Sequence, residues 1–272
     1  MSGDSLFRRK TPPPIPPPGA LVALRLQRVT RGVRERGLRA EDLTRIIILV
    51  ITLVWLGAAW AQQHSQGHSE RRGPSDIKQY IEALERPERD KDQRPDEVIK
   101  ALTLDEYMTI ADIGAGSGYF TRKFVWAVQD KGMVYAIDIE PEMLKYNEEM
   151  VEHLHTPYNV KFLVAKAGDP MLPAKSVDLI FLCNTYHHLE NRPDYFKGVK
   201  ASLKKDGRVA IIDFFHDARS GELGFSKDHL VSRDTVIHEM AQAGYRLTKE
   251  HTFLTRQYFL EFAQNPASSA EN

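Results

Sequence analysis

Residues 111–120, ADIGAGSGYF, place Gly114, Gly116 and Gly118 at alternate positions directly behind an apolar run that ends in Asp112. A glycine turn of this kind carries the chain from a strand into a helix and brings main-chain atoms close to whatever the turn faces. The surrounding sequence keeps to that pattern. Strand signals at 108–113, 133–138, 160–164, 177–183 and 207–214 alternate with helix signals at 118–130, 140–154, 192–204 and 232–243. This alternation predicts a doubly wound α/β fold, with a mostly parallel sheet and helices on both faces. The last two extended runs, YRLTKEHTFL and RQYFLEFA, are joined too tightly for a crossover and predict an antiparallel pair. Two short helices are expected earlier, in SDIKQYIEAL (75–84) and RPDEVIKAL (94–102), and the charged run ERPERDKDQRPDE (85–97) reads as a solvated connector.

The first 75 residues have a different character. Of 37 Lys/Arg and 37 Asp/Glu in the chain, residues 1–45 hold ten and four, which leaves 27 and 33 for the rest. A mildly acidic main domain is a poor match for nucleic acid, so no nucleic-acid partner is expected. Residues 1–45 read as a basic, Pro-rich disordered leader, with TPPPIPPPG (11–19) a stiff polyproline spacer. Residues 46–61 are apolar apart from Thr52, and they read as a transmembrane anchor or as the apolar core of a signal, since Ala59-Trp60-Ala61 fits a small-x-small cleavage pattern. The basic leader argues for a cytoplasmic N-terminus, with the chain membrane-anchored or exported. A linker (62–75), a compact α/β domain (76–262) and a disordered tail (263–272) complete the organisation. The single cysteine, Cys183, excludes an intramolecular disulfide.

The ligand of the glycine loop can be narrowed by charge. No Gly-Lys-Ser/Thr follows the loop, which removes a phosphate-cradling P-loop. Asp138 ends the second strand signal, twenty residues past Gly118, where a carboxylate can accept hydrogen bonds from both hydroxyls of a ribose. Asp112 stands two residues before the first glycine; it would repel a pyrophosphate and attract an ammonium group. A nucleoside with a positive end satisfies all three conditions.

IADIGAGSGYFT, VYAIDIEPEML, VDLIFLCNTYHHL and LKKDGRVAIIDF together resemble the successive motifs of class I S-adenosylmethionine-dependent methyltransferases over roughly residues 76–262. The lead-in YIEALERPERD…RPDEVIKAL resembles that of a subgroup of bacterial members, some of which also begin with an apolar export-type segment. The resemblance implies a seven-stranded sheet with a reversed terminal strand, and S-adenosylmethionine as cofactor. It implies that Asp112, Gly114, Ala115, Gly116 and Gly118 line the methionine end, that Asp138 holds the ribose, and that Ile139 packs on the adenine. The family places an acidic residue against the adenine amine after its third strand; here VAKAGDPMLP offers Lys166 and Ala167 near that place and Asp169 a little later, and Asp169 is taken as the contact.

The acceptor side is expected at the carboxyl ends of the fourth and fifth strands, in CNTYHHLEN (183–191) and FHD (215–217). Asn184 is grouped with the cofactor-binding residues. Tyr186, His187 and His188 are the catalytic candidates, an imidazole being suited to take a proton from an acceptor near neutral pH. A metal site built from His187, His188 and His216 is not expected, because adjacent histidines point apart and no acidic ligand is spaced to complete it. The expected activity is methyl transfer to a small-molecule or lipid-like acceptor, with residues 46–61 at a membrane. The alternative is a non-catalytic ligand-binding or scaffold protein on the same fold, since a domain held outside the cell would meet little cofactor.

Overall fold

The computed structural model describes residues 76–156, 158–223 and 226–266. The leader, the apolar segment 46–61, the linker up to residue 75 and the tail from 267 lie outside the described residues. Among the described residues no helix is long and apolar enough to cross a membrane.

Seven strands form one sheet: β1 (Thr109–Ile113), β2 (Met133–Asp138), β3 (Val160–Val164), β4 (Val177–Cys183), β5 (Leu203–Phe214), β6 (Tyr245–His251) and β7 (Gln257–Gln264). Their order is β3-β2-β1-β4-β5-β7-β6, with β7 antiparallel to both neighbours and every other pairing parallel. Side chains alternate across each strand, so one row faces each layer of helices. Ile110, Leu179, Phe181, Ala210 and Phe259 pack under α3 (Pro95–Leu102) and α4 (Tyr119–Val128), through Val98, Leu102, Phe120, Phe124 and Val128. Ala111, Ile113, Ile180, Leu182, Ile211 and Leu260 face α6 (Arg192–Val199) and α7 (Arg233–Gln242), through Phe196, Val199, Val236 and Met240. Both faces being covered explains why β4 reads as a continuous apolar run instead of alternating. Between β2 and β3 lies α5 (Pro141–Glu152), with Pro141 in its first turn.

Strand order reverses at β1, which has β2 on one side and β4 on the other. The crevice at the carboxyl ends of these strands is where an open α/β sheet binds its ligand. The glycine loop, Asp138 and residues 183–188 all lie on that edge.

Three expectations needed correction. The helix expected at 192–204 ends at Val199 and continues only as a 3₁₀ turn to Ser202. Leu203 is drawn into β5 opposite Val177, and the intervening Lys204–Gly207 bulge out before Arg208 pairs with Leu179. The domain also runs past 262, because Ala263 and Gln264 complete β7. Residues 85–97 are not a solvated connector. After α1 (Ile77–Leu84), whose N-terminus Asp76 caps through Gln79 N at 3.0 Å, the chain forms α2 (Glu88–Gln93). Gln93 is only 3% exposed, and Arg256 reaches α2 by an ion pair to Asp92 at 2.7 Å.

Candidate active site

The glycine loop is fastened to β2. Ile137 O accepts from Gly114 N (2.8 Å) and Ala115 N (3.0 Å), and Asp138 Oδ2 accepts from Gly116 N at 2.8 Å. The loop and the expected ribose carboxylate are therefore one hydrogen-bonded unit. All three glycines have positive φ, at 72°, 53° and 84°. Two have a second reason to lack a side chain: a Cβ on Gly114 would stand 2.3 Å from Thr185 Oγ1, and one on Gly118 would stand 2.0 Å from Asn147 Oδ1. Gly114 and Gly118 thus serve close packing within the protein, and the loop leads into α4 with Gly118 as its N-terminal cap.

Asp112 is 3% exposed, and its carboxylate accepts from Thr121 Oγ1 at 2.7 Å; Thr121 in turn accepts from Asn147 Nδ2 at 3.1 Å. Burial raises the Asp112 carboxyl to about 7, outweighing the Thr121 hydrogen bond that lowers it. An acid so poised gains from a positively charged ligand. Burial also raises Asp138, against the backbone N–H groups of Glu140 and Gly116 that hold its ionised form. Ile139, the next residue, leaves 56% of its surface exposed, and Val164 at the end of β3 leaves 52%. Two exposed aliphatic side chains at this edge offer a flat ring an apolar surface.

On the acceptor side, His187 is 3% exposed and Asp213 at the end of β5 is fully buried. His187 Nδ1 lies 2.8 and 2.9 Å from the two Asp213 oxygens. Asp213 also accepts from the backbone N–H of His187 (3.1 Å) and of Phe214 (2.8 Å). The His188 ring is centred 4.0 Å from that of His187, and His229 approaches to 5.4 Å. His216, by contrast, is exposed. Among the described residues no group of three or more His, Cys, Asp or Glu is arranged to hold a metal ion. Asn184 has a left-handed φ of 56°, and its Oδ1 accepts from Gln257 Nε2 at 2.6 Å.

Two candidates have their side chains engaged elsewhere. Tyr186 is fully buried, stacks on Phe196 and donates its hydroxyl to Glu239 Oε2 at 2.7 Å, in a cluster with Arg192. Burial and that hydrogen bond push its phenol far above the usual range, and its ring and hydroxyl join α6 to α7. Asp169 is exposed, with Oδ1 bonded to Met171 N at 2.7 Å and its backbone paired to Lys166, and its charge is felt by Tyr195 of α6. Cys183 is buried and its thiol is pushed up to about 12 by burial, which excludes a thiolate at neutral pH. Sequence reasoning missed Asp213 and α2. Asp213 had a signal, an acid inside the apolar run AIIDFF.

Residues 111–211 match the family profile described as "Methyltransferase domain". The chain is 27% identical over 106 residues to the ubiquinone/menaquinone biosynthesis C-methyltransferase of Enterobacter sp. (strain 638), covering 39% of this chain and 42% of that one. It is 38% identical over 94 residues to phosphoethanolamine N-methyltransferase 3 of Arabidopsis thaliana, covering 34% and 18%. The chain thus spans less than half the length of these curated relatives. A solved S-adenosylmethionine-dependent methyltransferase from Aquifex aeolicus superposes with a TM-score of 0.64 at 29% identity, covering 70% of this chain and all of that one. Over residues 111–211 the chain is thus similar to the methyltransferase-domain family, its fold is similar to that of the Aquifex aeolicus enzyme, and S-adenosylmethionine is the cofactor this fold implies. The residues present fit it: a buried carboxylate for an ammonium, a carboxylate at the end of β2 for a ribose, and exposed Ile139 for a base.

Proposed function

We propose that this protein transfers the methyl group of S-adenosylmethionine to a small-molecule or lipid-like acceptor whose nucleophilic atom gives up a proton to His187. The observation that carries this reading is the buried His187–Asp213 pair at the ends of β4 and β5. Nδ1–H donates to the carboxylate, which fixes the tautomer and leaves Nε2 as the proton-accepting atom. Two backbone N–H groups hold Asp213 in place, so the imidazole keeps one orientation. S-adenosylmethionine, when bound, supplies a methyl group on a positively charged sulfur and needs no activation by the protein. The chain's own tasks are then to orient the acceptor, exclude water and remove the proton. The exposed His188 and His229 rings, 25° apart in plane, lie beside His187 and offer the acceptor aromatic faces. Asp112, the glycine loop, Asp138 and Ile139 are the cofactor residues in this reading, and Asn184, held by Gln257, borders both ligands.

The basic leader and the apolar run 46–61 support a single-pass anchor or export signal with the N-terminus in the cytoplasm, and a membrane-dissolved acceptor such as a quinone or lipid. Activity reporters fused to Asn272 test this topology: a reporter active only in the cytoplasm would contradict it.

The reaction is tested by supplying the full chain with methyl-labelled S-adenosylmethionine and, separately, lipid and aqueous extracts of its source cells. Label should enter an extract component, and His187→Gln should slow its entry by about 10²–10⁴-fold while cofactor affinity stays within about twofold. Cofactor binding with no transfer to either extract would instead favour a binding or scaffold protein. In the same titrations Asp138→Ala should weaken cofactor binding by at least about tenfold, because it removes the ribose carboxylate and frees Gly116 N.

A further inference from the structure

Arg256, the residue before β7, fastens separate parts of the fold with one side chain. Nη1 donates to Asp92 Oδ2 of α2, Nε donates to Ser220 O and Nη2 donates to Glu222 O, each at 2.7 Å. Its own carbonyl accepts from Phe215 N at 3.2 Å, which carries the β5–β7 pairing one step past Phe214 and Gln257. These contacts all grip residues 215–222, the stretch that leaves the carboxyl end of β5 directly after Asp213. Ser220 is fully buried and ends a 3₁₀ turn. Gly221 follows at φ 64°, where a Cβ would lie 3.5 Å from Arg256 Nη2, so the turn is packed against the guanidinium.

The tie continues to the site. Lys227 Nζ donates to Asp217 O at 3.2 Å and joins residues 215–222 to the 3₁₀ turn Lys227–His229. The His229 ring of that turn is centred 5.4 Å from the ring of His187. In the other direction α2 reaches the end of β4, where Gln93 Nε2 donates to Cys183 Sγ at 3.5 Å. Arg256 therefore closes a belt of contacts that leaves β4 through α2 and returns to it at His187. An ion pair to Asp92 alone would hold α2 and leave the loop unheld. A planar fork that meets a carboxylate and two carbonyls at once fixes direction as well as distance.

We propose that Arg256 is a positioning residue for methyl transfer: it seats residues 215–222 and 227–229 beside the His187–Asp213 pair, and so aligns the acceptor without touching either ligand. The inference rests on the methyl-transfer reading above and adds to it the residue that sets the acceptor side. Small displacements of a held reactant are costly in rate, so the loss of this seat should appear in the transfer step.

The experiment uses the full chain, methyl-labelled S-adenosylmethionine and whichever cell extract, lipid or aqueous, the wild-type protein labels. Rates are expressed per folded molecule, well below the Tm, so that a change in stability alone does not move them. Arg256→Lys keeps a charge for Asp92 but cannot join it to both carbonyls. It should lower the rate at saturating cofactor by about 10- to 100-fold while calorimetric cofactor affinity stays within about twofold. Asp92→Asn leaves both carbonyl contacts in place and should cost only about two- to fivefold. A rate within about twofold of wild type in Arg256→Lys would overturn the proposal and leave Arg256 a staple for stability. A larger loss in Asp92→Asn than in Arg256→Lys would overturn it as well, since the seat of α2 and not the loop would then govern transfer. Equal losses of rate and cofactor affinity would overturn it in favour of an effect on the cofactor side. Wild-type protein that labelled neither extract would overturn both this inference and the methyl-transfer reading.

Discussion

Replacing Gly118 by alanine is expected to lower the stability of the domain by about 3–5 kcal/mol and to abolish measurable cofactor binding. The residue sits at φ 84°, and left-handed backbone costs an alanine about 1–2 kcal/mol. The added Cβ would also stand 2.0 Å from Asn147 Oδ1, and Asn147 is fully buried, so the amide has no open space to retreat into. The consequence travels further than the loop. Asn147 Nδ2 donates to Thr121 Oγ1, and Thr121 donates to Asp112, so a displaced Asn147 disturbs the group that orients the buried carboxylate. For a domain of this size the loss should appear as a drop in Tm of roughly 10 °C or more. Adding Asn147→Ala to Gly118→Ala separates the two causes: the steric part is relieved and the backbone part stays. Gly118→Ala that cost as much in the Asn147→Ala background as in wild type would show that the close approach to Asn147 contributes nothing.

The same contacts show what a sequence can disclose. Strands β2 and β4 have the bounds that their apolar runs suggest, because a strand covered on both faces writes its limits directly into hydropathy. The placing of Asp112, Asp138 and the glycine loop at the ends of β1 and β2 was legible for a related reason, since polar or flexible residues there interrupt an apolar run. The helix α2 was not legible. Its sequence ERDKDQ has no apolar residue, and the side it turns inward is made of Arg89 and Gln93, which pack through a stacked guanidinium and a buried amide. Hydrophobic periodicity has nothing to register there. The partners of Tyr186 were hidden for a different reason. Residues 186–188 form a 3₁₀ turn, in which successive side chains diverge by about 120°. Tyr186 therefore meets Glu239 and Phe196 while His187 meets Asp213. Adjacency in sequence promised a cluster that the turn divides between the core and the site.

Asp112 is where stability and function should pull in opposite directions. Its folded carboxyl is raised to about 7 from an ordinary 3.8, chiefly by burial. A carboxyl raised on folding contributes stability that is complete below the unfolded value and is lost as pH climbs through the folded one. Wild-type protein should therefore lose stability between about pH 4 and pH 7, and at pH 8 it carries the whole cost of an ionised, buried Asp112. Asp112→Asn keeps an oxygen to accept from Thr121 and removes that cost. It should raise the Tm by roughly 5–10 °C at pH 8, corresponding to about 2–4 kcal/mol, with the gain shrinking towards zero near pH 4. Cofactor binding should move the other way. An ammonium favours the ionised carboxylate, so wild-type affinity should increase from pH 5.5 to about 7 and then level, whereas the variant should bind about 100-fold more weakly with a flat profile over that range. Thermal unfolding and calorimetry on the same two proteins decide the matter. A variant both less stable and unaltered in affinity would mean that Asp112 serves the fold through its bond to Thr121 and does not meet the cofactor. A variant more stable and weaker in binding would mark Asp112 as a charge that the domain tolerates for the sake of its ligand.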